Sequence, residues 1–258
     1  MAESESLDVE KLEREVKAVY REVAERPDEE FHFETGRELA ERLGYPPADL
    51  DRIPREAIDS FAGVGYHFDL ADISEGEDVL DLGSGSGMDV FVAALHAGDS
   101  GSVTGVDMTD EQLGKARTLR DEAGFETVTF QKSYIEELPV PDDSFDVVIS
   151  NGVINLSAEK DRVFEEVARV LRPGGRLAIS DILSESRLSE GIKTNADLWA
   201  ACIGGAEQVD DYTTTIERAG LKVSELRDNS AYEFTSEQAK GACSTYGVKS
   251  VSLRAETR

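Results

Sequence analysis

Thiols are nearly absent from this chain: its 258 residues include two cysteines, Cys202 and Cys243, and no CxxC pair. That excludes a disulfide scaffold and a cysteine-built zinc site, and it suits a reducing compartment. Histidine is almost as scarce. His32, His67 and His96 stand far apart with no ligand spacing, so no metal centre is expected. Long apolar runs are missing as well, and the start, MAESESLDVEKLEREV, is too charged for a secretory leader. The expectation is a cytoplasmic protein with no membrane contact. The last deficit is positive charge: 27 Lys and Arg stand against 54 Asp and Glu, a formal net charge of −27. The acid is spread along the chain, including helix faces such as EKDRVFEEVARV, and is not gathered in one segment. A solvated acidic surface suited to high salt accounts for this better than a cationic partner does. The lack of basic patches argues against nucleic acid as substrate.

What the sequence does have is rhythm. Apolar residues at Leu7, Leu12, Val16, Val19, Tyr20 and Val23 predict an amphipathic helix over 7–25 that ends before Pro27. Residues 31–60 suggest two short helices around Pro46 and Pro47, so that 1–60 forms a helical cap on a domain of residues 61–258. From Asp78 onward, short runs rich in β-branched residues alternate with helical segments. VLDLG, SVTGVD, TVTFQKS, FDVVIS, GRLAISDI, LKVSELRD and VKSVSLRAE read as strands. Met88 to Ala97, Ala158 to Leu171, Tyr212 to Ala219 and Ser236 to Tyr246 read as helices, as does a segment starting at Thr109 with Gln112 at the capping-box position. The alternation indicates an α/β fold with a parallel sheet covered on both faces. Residues 186–210, after the fifth strand, are expected to form a lid over a substrate and, together with the N-terminal helix, to close the pocket against water.

VLDLGSGSGMD combines a buried strand, a glycine-rich turn and a helix start. Such a turn lets backbone approach a cofactor closely. The glycines, Gly83, Gly85 and Gly87, follow a GxGxG spacing and not the GxGxxG of dinucleotide enzymes. Asp107, at the end of the second strand, can accept hydrogen bonds from both hydroxyls of a ribose. Asp81, just before the glycines, would repel a pyrophosphate but attract an ammonium group. Acids on both sides of the turn suit S-adenosylmethionine better than NAD.

VLDLGSGSG, GVDMT, LPVPDDSFDVVIS and LRPGGRLAISD, in this order over roughly residues 75–185, resemble a class I S-adenosylmethionine-dependent methyltransferase. The resemblance implies a Rossmann-like, seven-stranded, mostly parallel sheet with an antiparallel last strand. It also implies that Asp81, Gly83, Gly85, Gly87 and Asp107 line the cofactor pocket, with Met108 near the adenine and Asn151 near the methionine end. Where many relatives carry an acid for the adenine amino group, this chain has Ser133 and Tyr134. Tyr134 can stack on the base, accept through its hydroxyl or simply pack under the loop, and the Ile135 amide can serve the ring.

A narrower resemblance runs through GVDMTDEQLGKA, VVISNGVINLS and DLWAACIGGA, over most of residues 62–222, and is to arsenite methyltransferases. In that family, cysteine thiolates hold trivalent arsenic, soft ligands for a soft centre. The family cysteine at the tip of the fourth strand is Gly152 here and the one upstream of the first strand is Val64; only Cys202 is matched. Cys243 is either a second thiol or a small helical core residue. An organic acceptor would instead need a base. His67 and His32 are candidates, Asp181 and Tyr66 further ones, and each can equally be an ordinary packed side chain. The implied protein is a methyltransferase for a small-molecule methyl acceptor, monomer or homodimer, of the arsenite methyltransferase-like group. The alternatives are an enzyme for an organic metabolite, quinone-like or other, and a catalytically silent S-adenosylmethionine-binding protein.

Overall fold

The computed structural model describes residues 7–195, 198–199 and 203–257. β1 (Asp78–Leu82), β2 (Ser102–Asp107), β3 (Val128–Lys132), β4 (Phe145–Asn151) and β5 (Leu171–Ser184) run parallel in the order β3-β2-β1-β4-β5. A two-residue strand, β6 (Glu207–Gln208), pairs with β5 off this path. β7 (Leu221–Asp228) and β8 (Lys249–Thr257) complete the sheet, β8 lying antiparallel between β5 and β7. This is the Rossmann-like arrangement expected, seven strands in one path with an antiparallel last strand.

The central strands are largely apolar on both sides because both faces of the sheet are covered, with acids such as Asp78 and Asp81 of β1 among the exceptions. Val79, Val147 and Ile149 point into one cluster with Phe91 and Leu113, whereas Leu80, Leu82 and Val148 point into the other with Phe164 and Tyr212. The first face is covered by α6 (Met88–Ala97) and α7 (Asp110–Ala123), the second by α8 (Lys160–Val170) and α10 (Val209–Arg218). α9 (Glu190–Lys193) and α11 (Glu237–Tyr246) flank the C-terminal strands.

Before the sheet come α1 (Val9–Glu25), α2 (Arg37–Leu43), α3 (Pro47–Leu50), α4 (Arg55–Asp59) and α5 (Phe68–Ala71). Residues 31–60 thus hold three short helices and not two, because Pro54 starts a third helical turn after the break at Pro46 and Pro47. Leu39, Leu50 and Ile58 pack into the same cluster as α6. Two cap assignments differ from expectation. Thr109 makes no side-chain cap bond and Gln112 is turned elsewhere. α10 begins three residues ahead of Tyr212 because the Gln208 side chain accepts from the Asp210 and Asp211 amides at 3.0 and 3.1 Å. Among the described residues no helix is long and apolar enough to cross a membrane.

Candidate cofactor-binding site

The strand order reverses between β1 and β4, and the carboxyl ends of β1, β2 and β4 open there onto a cavity of about 360 Å³. The glycine turn after β1 forms its floor. The Gly83 and Ser84 amides donate to Val106 O at 2.8 and 2.9 Å, folding the turn back on β2. Gly83 has φ +73°, and a Cβ there would collide with Val153; Gly87 has φ +93°, and its Cβ would lie 2.8 Å from the Phe130 ring. Asp107 pins the turn from the side. Its Oδ2 accepts from the Gly85 amide at 2.9 Å and its Oδ1 from the Thr109 amide at 2.8 Å. Each oxygen keeps a further lone pair for a ligand hydroxyl.

Asp81, Gly83, Gly85, Asp107, Met108, Tyr134, Ile135 and Asn151 all line this cavity. Gly87 does not; it turns the chain into α6 and lets that helix sit against Phe91 and Phe130. Ser84, Asp89 and Gln112 line it without having been anticipated, and the N-terminal helix expected to help close the pocket adds the face of α1 that carries Leu12 and Val16. Gln112 accepts from Ser86 Oγ at 2.5 Å and donates to Tyr20 O at 2.7 Å, tying the glycine turn to α1. Tyr134 is 45% exposed. Its hydroxyl donates to Glu13, and Lys17 Nζ lies 2.7 Å from the same oxygen, so it fastens α1 over the opening.

The electrostatics at the β1 end are one-sided. Asp81 is 2% exposed, and among the described residues nothing donates to its carboxylate. Burial, then the charges of Asp89 and Asp107, push its carboxyl well above the usual range. Burial pushes Asp89 to about 6 against the opposing bonds from Tyr45 and Asn151. Burial also raises Asp107, opposed by its backbone donors. No lysine, arginine or histidine among the described residues offsets these three acids. Ser84 Oγ is buried nearby without a partner.

Asn151 joins the β4 tip to the segment before α5. Its Oδ1 accepts from the Val64 and Gly65 amides at 2.8 and 3.3 Å, and its Nδ2 donates to Gly65 O and to the Tyr45 hydroxyl, both at 3.0 Å. The two positions where the resemblance to arsenite methyltransferases implies cysteine lie side by side: a Cβ at Gly152 would lie 3.1 Å from Val64 Cγ1. Cys202 lies outside the described residues. Cys243 is half-buried beside the cluster of Ile182, Ala239 and Val248 and is not part of the cavity wall.

The structure does not bring the candidate bases to the cavity. His67 is fully buried at the start of α5, stacked on Phe68 with ring centroids 4.9 Å apart, and neither ring nitrogen has a partner. Burial pushes its pKa down to about 3. Asp181 is buried under the Tyr212 hydroxyl at 2.7 Å, Tyr66 packs edge-on against Tyr45, and His32 packs edge-on against Phe33. None of the four lines the cavity. The expected lid, 186–210, contributes Trp199, which packs on Leu12 and Val16 of α1.

Residues 73–220 match the family described as methyltransferase domain. The arsenite methyltransferase of Halobacterium salinarum is 42% identical over 193 residues, 75% of this chain and 49% of that one. The arsenite methyltransferase of Aquipseudomonas alcaligenes is 46% identical over 57% of this chain and 44% of its own. A crystal structure of an arsenic(III) S-adenosylmethionine methyltransferase from Chlamydomonas reinhardtii superposes with a TM-score of 0.69 at 35% identity, covering 81% of this chain and 72% of that one. The chain is a class I methyltransferase. It falls in the arsenite methyltransferase-like group and spans about half the length of the curated relatives it matches.

S-adenosylmethionine is the cofactor of the family, and this methyltransferase fits it on its own evidence. A ligand that carries positive charge answers the uncompensated Asp81 and Asp89. Ser84 Oγ is an orphaned polar atom in the same wall. Asp107 has lone pairs for a ribose, and the apolar Met108 and Ile135 side chains flank the place for a base.

Proposed function

We propose that the protein transfers a methyl group from S-adenosylmethionine to a small molecule that enters beside the β4 tip. The observation that carries this reading is the unpaired, buried Asp81 carboxylate at the head of the glycine turn, in a cavity that also holds Asp89 and Asp107. S-adenosylmethionine supplies, when bound, an electrophilic methyl on a sulfonium sulfur. The chain's own part is orientation and exclusion of water. Asp107 fixes the turn, and Leu12, Val16 and Trp199 close one side with apolar surface. Phe61, Ala62, Gly63 and Leu156 form the wall toward the acceptor.

The contact between Val64 and Gly152 favours an organic acceptor over arsenic(III). Two thiolates are missing from one spot, and a single cysteine elsewhere provides neither the second bond nor its preorganisation. No base is assigned, because His67 is buried away from the cavity.

The test is incubation with S-adenosylmethionine in high salt, in one arm with arsenite and excess thiol, in the other with a pool of small metabolites. S-adenosylhomocysteine and methylated products are measured in both. Product in the metabolite arm alone supports the organic reading. Methylated arsenic that is lost in Cys202→Ser overturns it, and binding without product in either arm supports a silent cofactor-binding protein.

A further inference from the structure

Asp89 sits in the first turn of α6, where an acid usually rests in solvent against the helix dipole. Here it is 6% exposed and lines the cofactor cavity. Its Oδ1 accepts from the Tyr45 hydroxyl at 2.6 Å and its Oδ2 from Asn151 Nδ2 at 3.1 Å. The groups that face it are Tyr45 from the segment between α2 and α3, Asn151 from β4, Asp81 from β1 and the more distant Tyr66 hydroxyl. None is a cation. Asp81, its acidic neighbour, is faced in turn by Asp107 and has no donor among the described residues. Both line the same cavity and both are buried, and two carboxylates taken out of water together cannot both ionise without large cost. The neutral hydrogen-bond donors around Asp89 relieve part of that cost and leave Asp81 exposed to the cavity.

Resting on the cofactor assignment above, we propose that Asp89 is a second cofactor-binding carboxylate, and that Asp81 and Asp89 hold one shared proton, lost to solvent when the α-ammonium of the cofactor binds. Positive charge beside the pair favours its doubly ionised form, so cofactor affinity falls as pH drops. The sign follows from linkage: the bound form carries fewer protons than the free form. The same Asn151 amide that donates to Asp89 also donates to Gly65 O, so the carboxylate's charge is felt directly by the segment carrying Val64.

The experiment is calorimetric titration of the whole protein with S-adenosylmethionine, S-adenosylhomocysteine and 5′-methylthioadenosine between pH 5 and 8, in buffers of different ionisation enthalpy. The first two ligands, which carry the ammonium, are expected to release a proton near pH 6 and to bind about tenfold more weakly per pH unit below that point. 5′-methylthioadenosine, which lacks it, is expected to release none. Asp89→Asn is expected to abolish the release and weaken the first two ligands at pH 8 by roughly 30-fold or more. If that variant fails to fold, Tyr45→Phe reads the same proton: loss of its hydroxyl donor moves the release to higher pH. Release with S-adenosylmethionine alone, wild-type behaviour of Asp89→Asn, or binding by the wild type without release overturns the proposal while leaving the cofactor site standing. Failure of all three ligands to bind at pH 8 overturns the cofactor reading itself.

Discussion

The unfolded chain protonates His67 near its ordinary pKa of 6.5, whereas the folded core holds it near 3. A depressed folded value means that protons favour the unfolded state, so this residue withdraws stability as pH falls below 6.5. Asp89 and Asp181, both raised to about 6 by burial, act with the opposite sign: their burial costs stability as pH rises from about 4 to 6. Comparing His67→Phe with the wild type isolates the histidine. The variant is expected to gain about 1.4 kcal/mol on the wild type between pH 8 and pH 5.5, read by urea denaturation; a constant difference would mean that the ring is protonated in the fold. Asp107→Ala is expected to keep the sheet but lose the anchor of the Gly85 amide, with cofactor binding at least about tenfold weaker by calorimetry. Asp81 and Asp107 were legible in the sequence because the glycine spacing frames them. Asp89 was not, since a first-turn acid is unremarkable until Tyr45, more than forty residues away, is seen to cover it.

At the scale of elements, β1, β4 and β5 were readable because short aliphatic and β-branched runs, broken only by isolated polar positions, alternate there with helical segments. The short helices of residues 31–60 were harder, since runs of four to seven residues barely show a period. That the N-terminal helix helps close the pocket was expected, but the residues that seat α1 were not readable. Its stripe announces a helix but does not name the surface it covers, and the bonds from Gln112 to Tyr20 O and from Lys115 to Ala24 O bridge about ninety residues. α1 closes the cofactor cavity with Leu12 and Val16 packed on Trp199, and Glu13 and Lys17 meeting Tyr134. Leu12→Ala removes apolar cover worth about 1.5–3 kcal/mol and is expected to speed cofactor dissociation by about tenfold or more, measured by stopped-flow fluorescence. The thermal midpoint should move little, because this cluster is separate from the two that hold the sheet.

For the whole molecule, the dominant property is charge. Many of its ion pairs among the described residues join exposed partners three or four residues apart, such as Arg26 with Glu22 and Arg37 with Glu41. Such pairs contribute little. A formal charge of −27 remains, and its self-repulsion is relieved only by counterions. The thermal midpoint is accordingly expected to climb as potassium chloride is raised from 0.1 M to 2 M, most steeply at the low end; a flat or falling curve would show that the acids are already compensated within the fold.

The contact between Val64 and Gly152 carries a historical consequence. Gly152 has φ +73°, and any side chain there meets Val64 at once. A cysteine placed at 152 alone costs both the backbone strain and a displacement of Val64 by a few tenths of an ångström. Once valine at 64 has given way to the slimmer cysteine, the backbone strain is what remains. The two positions are therefore coupled in magnitude, measurable as a double-mutant cycle in which the change at 152 costs less after the change at 64. Moving between a thiol pair and this apolar contact is smoother when position 64 changes first.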